Sequence, residues 1–303
     1  MKRFISLLMA TLMLVTLLAG CGDNANKDQG SDESTNSVTL RNTGFLTTSD
    51  PNQTTNTHEY TVHENIYEGL YDLNEASGGY DLRLAESIEP NEDATEYIVH
   101  LRQDVKFHNG EQMTADDVVF SYDKARASPK QASYVRPLDH AEKVDDYTVK
   151  IVMKSSFSPI GHMLHKVKIL SQKEVLEQGD NFGKIANKAG TGPYMWDESN
   201  YNPKTSWSAV AFEDYYRGKA AIERVTWNVI EDDTSAITAL QNGEVDYMVV
   251  PISYWEDVKS TGKFTCVEKQ SNEVMTFCIN IESPTYGSIL QNDKVRLAIM
   301  YAI

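Results

Sequence analysis

Residues 105–127 read VKFHNGEQMTADDVVFSYDKARA. A short extended run reaches Phe107, and His108-Asn109-Gly110 supplies turn chemistry. Thr114 is placed to cap a helix whose first turn carries Asp116 and Asp117, where negative charge meets the positive end of the helix dipole. Val118, Val119, Tyr122 and Ala125 then recur at helical spacing and predict the buried stripe. Upstream, Tyr97, Val99 and Leu101 alternate with Glu96, Ile98 and His100, the signature of a half-buried strand. Downstream, Val144 to Tyr147 leads into alternating Val149, Ile151 and Met153, which predicts a hairpin. A strand, a turn, a helix and a hairpin in close succession define a mixed α/β fold.

Reading outward, Val38–Asn42 is expected to be a strand, Thr43–Thr57 a loop, His58–Leu70 a helix and Gly69–Leu73 a strand, with a turn at Gly78 and Gly79. Beyond the hairpin, Gly190-Thr191-Gly192-Pro193-Tyr194 is expected to turn between elements. Strands follow at Trp207–Phe212 and Val225–Ile230, a helix at Thr234–Asn242 ended by Gly243, and a short strand at Val245–Val250. This alternation predicts βαβ units and a partly parallel sheet. The last helix, Asp293–Ile303, carries an apolar stripe of Val295, Ala298, Ile299 and Ile303 with no stop signal after it, so the fold is expected to be incomplete at the C-terminus.

Lys2 and Arg3 precede an apolar run from Phe4 to Leu18, shorter than the ~20 residues a bilayer span needs, so residues 1–20 read as a secretory signal. Leu18-Ala19-Gly20-Cys21 resembles a lipobox, which makes Cys21 the expected lipidation site. Residues 22–36, GDNANKDQGSDESTN, hold no large apolar side chain and are expected to form a flexible tether. The net charge of −16 argues against a nucleic-acid partner, because phosphate binding needs clustered Lys and Arg. Cys266 and Cys278 are expected to be buried free thiols rather than a bridge, and nothing beside them has metal-ligand spacing.

No nucleophile-and-base pattern, zinc-binding H-E-x-x-H or phosphate-cradling loop is present; Gly190–Tyr194 lacks the Lys and Ser/Thr of a phosphate loop. Asp116 and Asp117 are explained by the helix dipole. His162 and His165 are three apart, but packing or surface exposure explains them better than a metal, and His58, His63, His100 and His108 are assigned only hydrogen bonding. No catalytic residue, metal or cofactor is therefore expected.

Several blocks taken together resemble the extracellular solute-binding proteins of oligopeptide and dipeptide ABC importers. They are Ser49-Asp50-Pro51, Asn65–Leu70 (NIYEGL), Leu84–Ser87 (LAES), Val105–Gly110 (VKFHNG) and Thr114–Ser121 (TADDVVFS). Further along come Gly190–Tyr194 (GTGPY), Tyr215–Lys219 (YYRGK), Ala239–Asp246 (ALQNGEVD) and Asp293–Ala298 (DKVRLA). Each is weak alone; their order and spacing carry the resemblance.

The resemblance implies a bilobal periplasmic-binding-protein-like α/β fold with an extra inserted lobe. Lobe I would comprise residues 37–68 and 190–270, lobe II residues 69–189, and residues 271–303 would begin a third lobe. It implies a non-enzymatic lipoprotein on the outer face of the cell membrane, monomeric, that captures peptides and delivers them to the permease and ATPase subunits of a transporter. Alternatives are a carrier for a metal chelate, glutathione or another small solute, a peptide-sensing receptor, or a secreted peptidase. By the same resemblance Thr54, Thr55 and Thr57, together with Ser271, Asn272, Glu273 and Met275, would lie along the ligand backbone; the competing reading is that both segments are linkers. Tyr134 would reach the cleft or else serve the core, and Tyr254 and Trp255 would wall a pocket or pack inside.

Overall fold

The computed structural model describes residues 36–74, 76–268 and 278–302. The signal segment, Cys21, the tether up to residue 35, Ser271, Asn272, Glu273, Met275 and Ile303 lie outside the described residues.

Strand Ser37–Asn42 (β1) is followed by helix Thr57–Ile66 (α1), the hairpin Tyr71–Asn74 (β2) and Gly79–Leu82 (β3), and strands Ala85–Pro90 (β4) and Glu96–Leu101 (β5). Helix Ala115–Ala127 (α2) leads to strands Leu138–Asp145 (β6) and Thr148–Met153 (β7) and short helices Gly161–Lys166 (α3) and Gln172–Gln178 (α4). Strands Tyr194–Asn202 (β8), Ser206–Ala211 (β9) and Arg224–Val229 (β10) and helix Asp233–Asn242 (α5) complete this part.

Two four-stranded sheets result. One has the order β1-β10-β9-β8, with β1 and β10 parallel and Leu40 opposite Trp227; the other has the order β4-β5-β7-β6 and is antiparallel throughout. The expected parallel character is thus confined to β1/β10 and to the predicted strand 245–250. That segment is reduced to a parallel bridge between Leu40 and Tyr247, held by Arg41 N–H to the Tyr247 carbonyl at 3.0 Å. Each sheet has its own core. Ile66, Tyr67, Trp196, Trp207 and Trp227 fill the first, and Leu70, Val99, Phe107, Val118, Tyr122 and Ile151 are among those that fill the second.

Local chemistry places these elements as the sequence predicts in most cases. Thr114 and Asp117 form a reciprocal capping box at the start of α2, and Ala115, Val118, Ser121, Tyr122 and Ala125 are buried, whereas Val119 is only half-buried. Gly243 ends α5 with φ +75°, the left-handed conformation that suits glycine. Helix α1 stops at Ile66 rather than Leu70. Tyr67 is extended, and a side chain at Gly69 would meet the Leu164 carbonyl at 2.5 Å, so the chain turns straight into β2.

The chain passes from the first sheet to the second at residues 67–70 and returns at 187–193. Gly190 and Gly192 lie against the end of α1; added Cβ atoms would stand 2.2 Å from the Ile66 carbonyl and 2.6 Å from that of Asn65. His108 seals this crossing. Its N–H donates to Gly190 O at 2.9 Å and its Nε2 lies 3.0 Å from Gly192 O.

Residues 252–302 form a separate compact unit. Its helix Asp293–Ala302 (α6) has no buried residue: Val295 and Ile299 are half-buried and Ala298 is exposed, so the predicted buried stripe is corrected within the described residues. Cys266 is half-buried and Cys278 exposed, both free, which corrects the expectation of buried thiols; too little of this unit packs around them. Tyr254 and Trp255 are half-buried. No helix among the described residues is long and apolar enough to cross a membrane.

Candidate functional site

Parallel strands carry their ligand crevices beyond their carboxyl ends. At the carboxyl end of β1, a cavity of about 450 Å³ opens between the strand, the start of α1 and the segment 247–249. Thr57, Thr61 and Asn65 line it because positions four apart share one face of a helix. The opposite stripe of α1, Val62 and Ile66, is fully buried, which fixes the polar stripe toward the opening. Leu40 and Trp227, opposed in register, supply an apolar floor, and Tyr247 and Val249, 60 % and 76 % exposed, form an apolar rim.

The wall is polar, with the His58 imidazole beside hydroxyl and amide side chains. Arg41 also lines the cavity, yet its guanidinium is committed elsewhere: it pairs with Asp233 at 2.6 Å and donates to the carbonyls of Ile230 and Glu231 at 2.9 and 3.1 Å. His58 is set by Gly44, where a Cβ would come within 2.9 Å of the ring, and by Phe45 O, 3.2 Å from Nε2. Such a surface offers hydrogen-bond donors and acceptors above an apolar floor, which suits an extended, uncharged chain better than a charged head group.

Of the residues expected along a ligand, Thr57 lines the cavity. Thr54 is buried and held in the loop, its hydroxyl donating to Glu59 and accepting from Asn56 N–H at 3.1 Å. Thr55 is exposed outside the cavity lining, and Tyr134 is half-buried, its ring centroid 5.4 Å from that of His162 in an edge-on arrangement. Sequence reasoning missed Thr61, Asn65, Trp227 and Tyr247. The spacing of Thr57, Thr61 and Asn65 was visible, but a polar helix face is what ordinary solvent exposure also produces. Among the described residues no group of three His, Cys, Asp or Glu side chains could hold a metal ion.

A polar knot joins the two crossings. The Glu68 carboxylate, 4 % exposed, receives Tyr215 OH at 2.8 Å, Thr191 OH at 3.0 Å, Tyr216 OH at 3.3 Å and Arg83 Nε at 3.2 Å. Burial pushes its carboxyl above the ordinary carboxylate range, although Arg83 and the three hydroxyls oppose that shift. Nearby, Asp50 pairs with Lys124 at 2.8 Å, and Tyr67 OH bridges Ser49 O at 2.6 Å and Asn187 at 3.0 Å.

Residues 80–303 match the family described as bacterial extracellular solute-binding proteins, family 5 Middle, and the chain belongs to that family. Heme-binding protein A of Haemophilus influenzae is 26% identical over 267 residues, 79% of this chain and 48% of that protein. Glutathione-binding protein GsiB of Escherichia coli is 29% identical over 270 residues, 85% of this chain and 50% of that protein. Oligopeptide-binding protein AppA of Bacillus subtilis is 24% identical over 320 residues, 100% of this chain and 57% of AppA. The structure of AppA in complex with a nonapeptide superposes with a TM-score of 0.65 at 26% identity, over 74% of this chain and 45% of that one. The chain therefore spans about half the length of the curated relatives it matches, and its mixed α/β architecture is that of bilobal periplasmic binding proteins.

Proposed function

We propose that this chain captures peptides outside the cell and delivers them to the permease of an ABC importer, without catalysing a reaction. The observation that carries the reading is the cavity at the end of β1, whose wall offers hydroxyl, amide and imidazole groups, with Arg41 already paired to Asp233, over a floor of Leu40 and Trp227. An extended peptide presents backbone amides that such a wall can pair and apolar side chains that such a floor can bury. The nonapeptide held by AppA, whose fold this chain shares, supports the same class of ligand.

In this reading residues 37–68 and 190–270 form lobe I and residues 69–189 an inserted lobe II, with residues 271–303 belonging to a third. The position of one sheet in 37–42 and 194–229 and of the other in 85–153 supports that division. Ligand is held by closure about the crossings at 67–70 and 187–193. A lipid on Cys21 anchors the monomer to the outer face of the membrane, supported by Leu18-Ala19-Gly20-Cys21.

Native mass spectrometry of the protein purified in a lipid-free form, with Cys21 replaced, tests the ligand class. A ladder of masses matching short mixed peptides is the expected result. A single discrete mass of a metal chelate, glutathione or a porphyrin would replace the peptide reading with that of a small-solute carrier.

A further inference from the structure

The charge of −16 is unevenly distributed along the chain. Residues 118–138 hold Lys124, Arg126, Lys130 and Arg136 against Asp123 alone, and residues 154–170 hold Lys154, Lys166 and Lys168 with no acidic residue. Lys124 pairs with Asp50 at 2.8 Å, Lys166 lies 3.9 Å from Glu64, and Lys168 is buried. Arg126, Lys130, Arg136 and Lys154 are exposed.

Arg126, Arg136 and Lys154 rim a cavity of about 600 Å³ floored by Val135 and Leu138, where α2 ends and β6 begins. Local structure accounts for part of this charge. Arg126 stands in the last turn of α2, where the helix dipole favours a cation, and pairs with Asp123 at 3.2 Å; Lys154 Nζ donates to Arg136 O at 3.0 Å. It does not account for Arg136, whose guanidinium has no ion-pair partner among the described residues. The cavity shares no residue with the cleft beside β1.

We propose that this pocket docks an acidic polypeptide segment of a partner protein. A guanidinium fork pairs with carboxylates in a fixed geometry, and a concave rim above an apolar floor accepts a projecting side chain, where a lipid surface calls for a flat or convex cationic face. The net negative charge of the chain repels such a segment, so this cationic pocket sets the orientation of approach.

The test uses the full chain and a fluorescent, end-blocked hexaglutamate peptide, followed by anisotropy at about 20 mM and about 300 mM salt. Binding is expected at low salt and loss of it at high salt. The Arg136→Glu/Lys154→Glu pair is expected to weaken binding at least about tenfold, whereas the charge-matched Lys184→Glu/Lys204→Glu pair, also exposed, changes it less than about twofold. All four positions are exposed, so thermal melts should match wild type. No binding by wild type, or equal weakening by both pairs, overturns the proposal. Binding to phosphatidylglycerol vesicles without binding to the peptide would assign the pocket to a membrane, and self-association abolished by Arg136→Glu would assign it to a second copy; either result also overturns it.

Discussion

His63 and His108 are both fully enclosed, and burial lowers each imidazole from the ordinary 6.5 to about 4. The neutral ring is the form the fold accepts; His63 Nε2 meets Thr48 O at 3.1 Å and His108 Nε2 meets Gly192 O at 3.0 Å. As pH falls, the unfolded chain takes up these protons first. Their contribution to stability is therefore complete above the unfolded value of 6.5 and is lost as pH falls toward 4. Between pH 7.5 and 5 each histidine should remove on the order of 2 kcal/mol of stability. Urea unfolding at the two pH values checks this. His108→Gln should be less stable at pH 7.5 but show a shallower fall, and an undiminished fall would rule out His108 as a source.

Helix α2 shows how one side chain can serve two elements. Thr114 and Asp117 cap the helix, but Asp117 also accepts Gln172 N–H at 3.0 Å at the start of α4. Thr114→Ala should cost about 1 kcal/mol, the usual loss of an N-cap. Asp117→Ala should cost roughly twice that, because it also strands a part-buried N–H; equal losses in chemical denaturation would show that the α4 contact contributes nothing. In α1 the polar stripe can be tested separately from the buried one. Thr61 is exposed, so Thr61→Trp should leave the melting temperature near wild type while filling the cavity and weakening peptide binding at least about tenfold. Peptide affinity unchanged in titration calorimetry would remove this cavity from the binding surface.

Across the molecule, two cores with two crossings between them depend on the Glu68 knot. Removing its charge leaves Arg83, a fifth exposed, with Asp72 as its remaining carboxylate partner. Glu68→Gln should cost on the order of 3 kcal/mol. The loss should appear as easier opening of the crossings, read as faster hydrogen exchange at residues 67–70 and 187–193 than within β5 or β9. Uniform acceleration in all of these segments would mean that the knot stabilises the fold without acting as a joint between its halves.

What the sequence determined by itself is local. Period-two alternation located β5 to the residue, the threonine-aspartate pattern located the start of α2, and Gly243 located the end of α5, because each depends on side chains a few positions apart. The family was legible for a related reason: its motifs are runs of adjacent residues. Strand pairing, by contrast, brings Leu40 against Trp227 and Tyr247, and burial of the Arg41 charge depends on Asp233; these contacts span about two hundred residues. Only tertiary structure could decide that Thr57, Thr61 and Asn65 face an apolar floor and not bulk water, since the same spacing on a helix fits both.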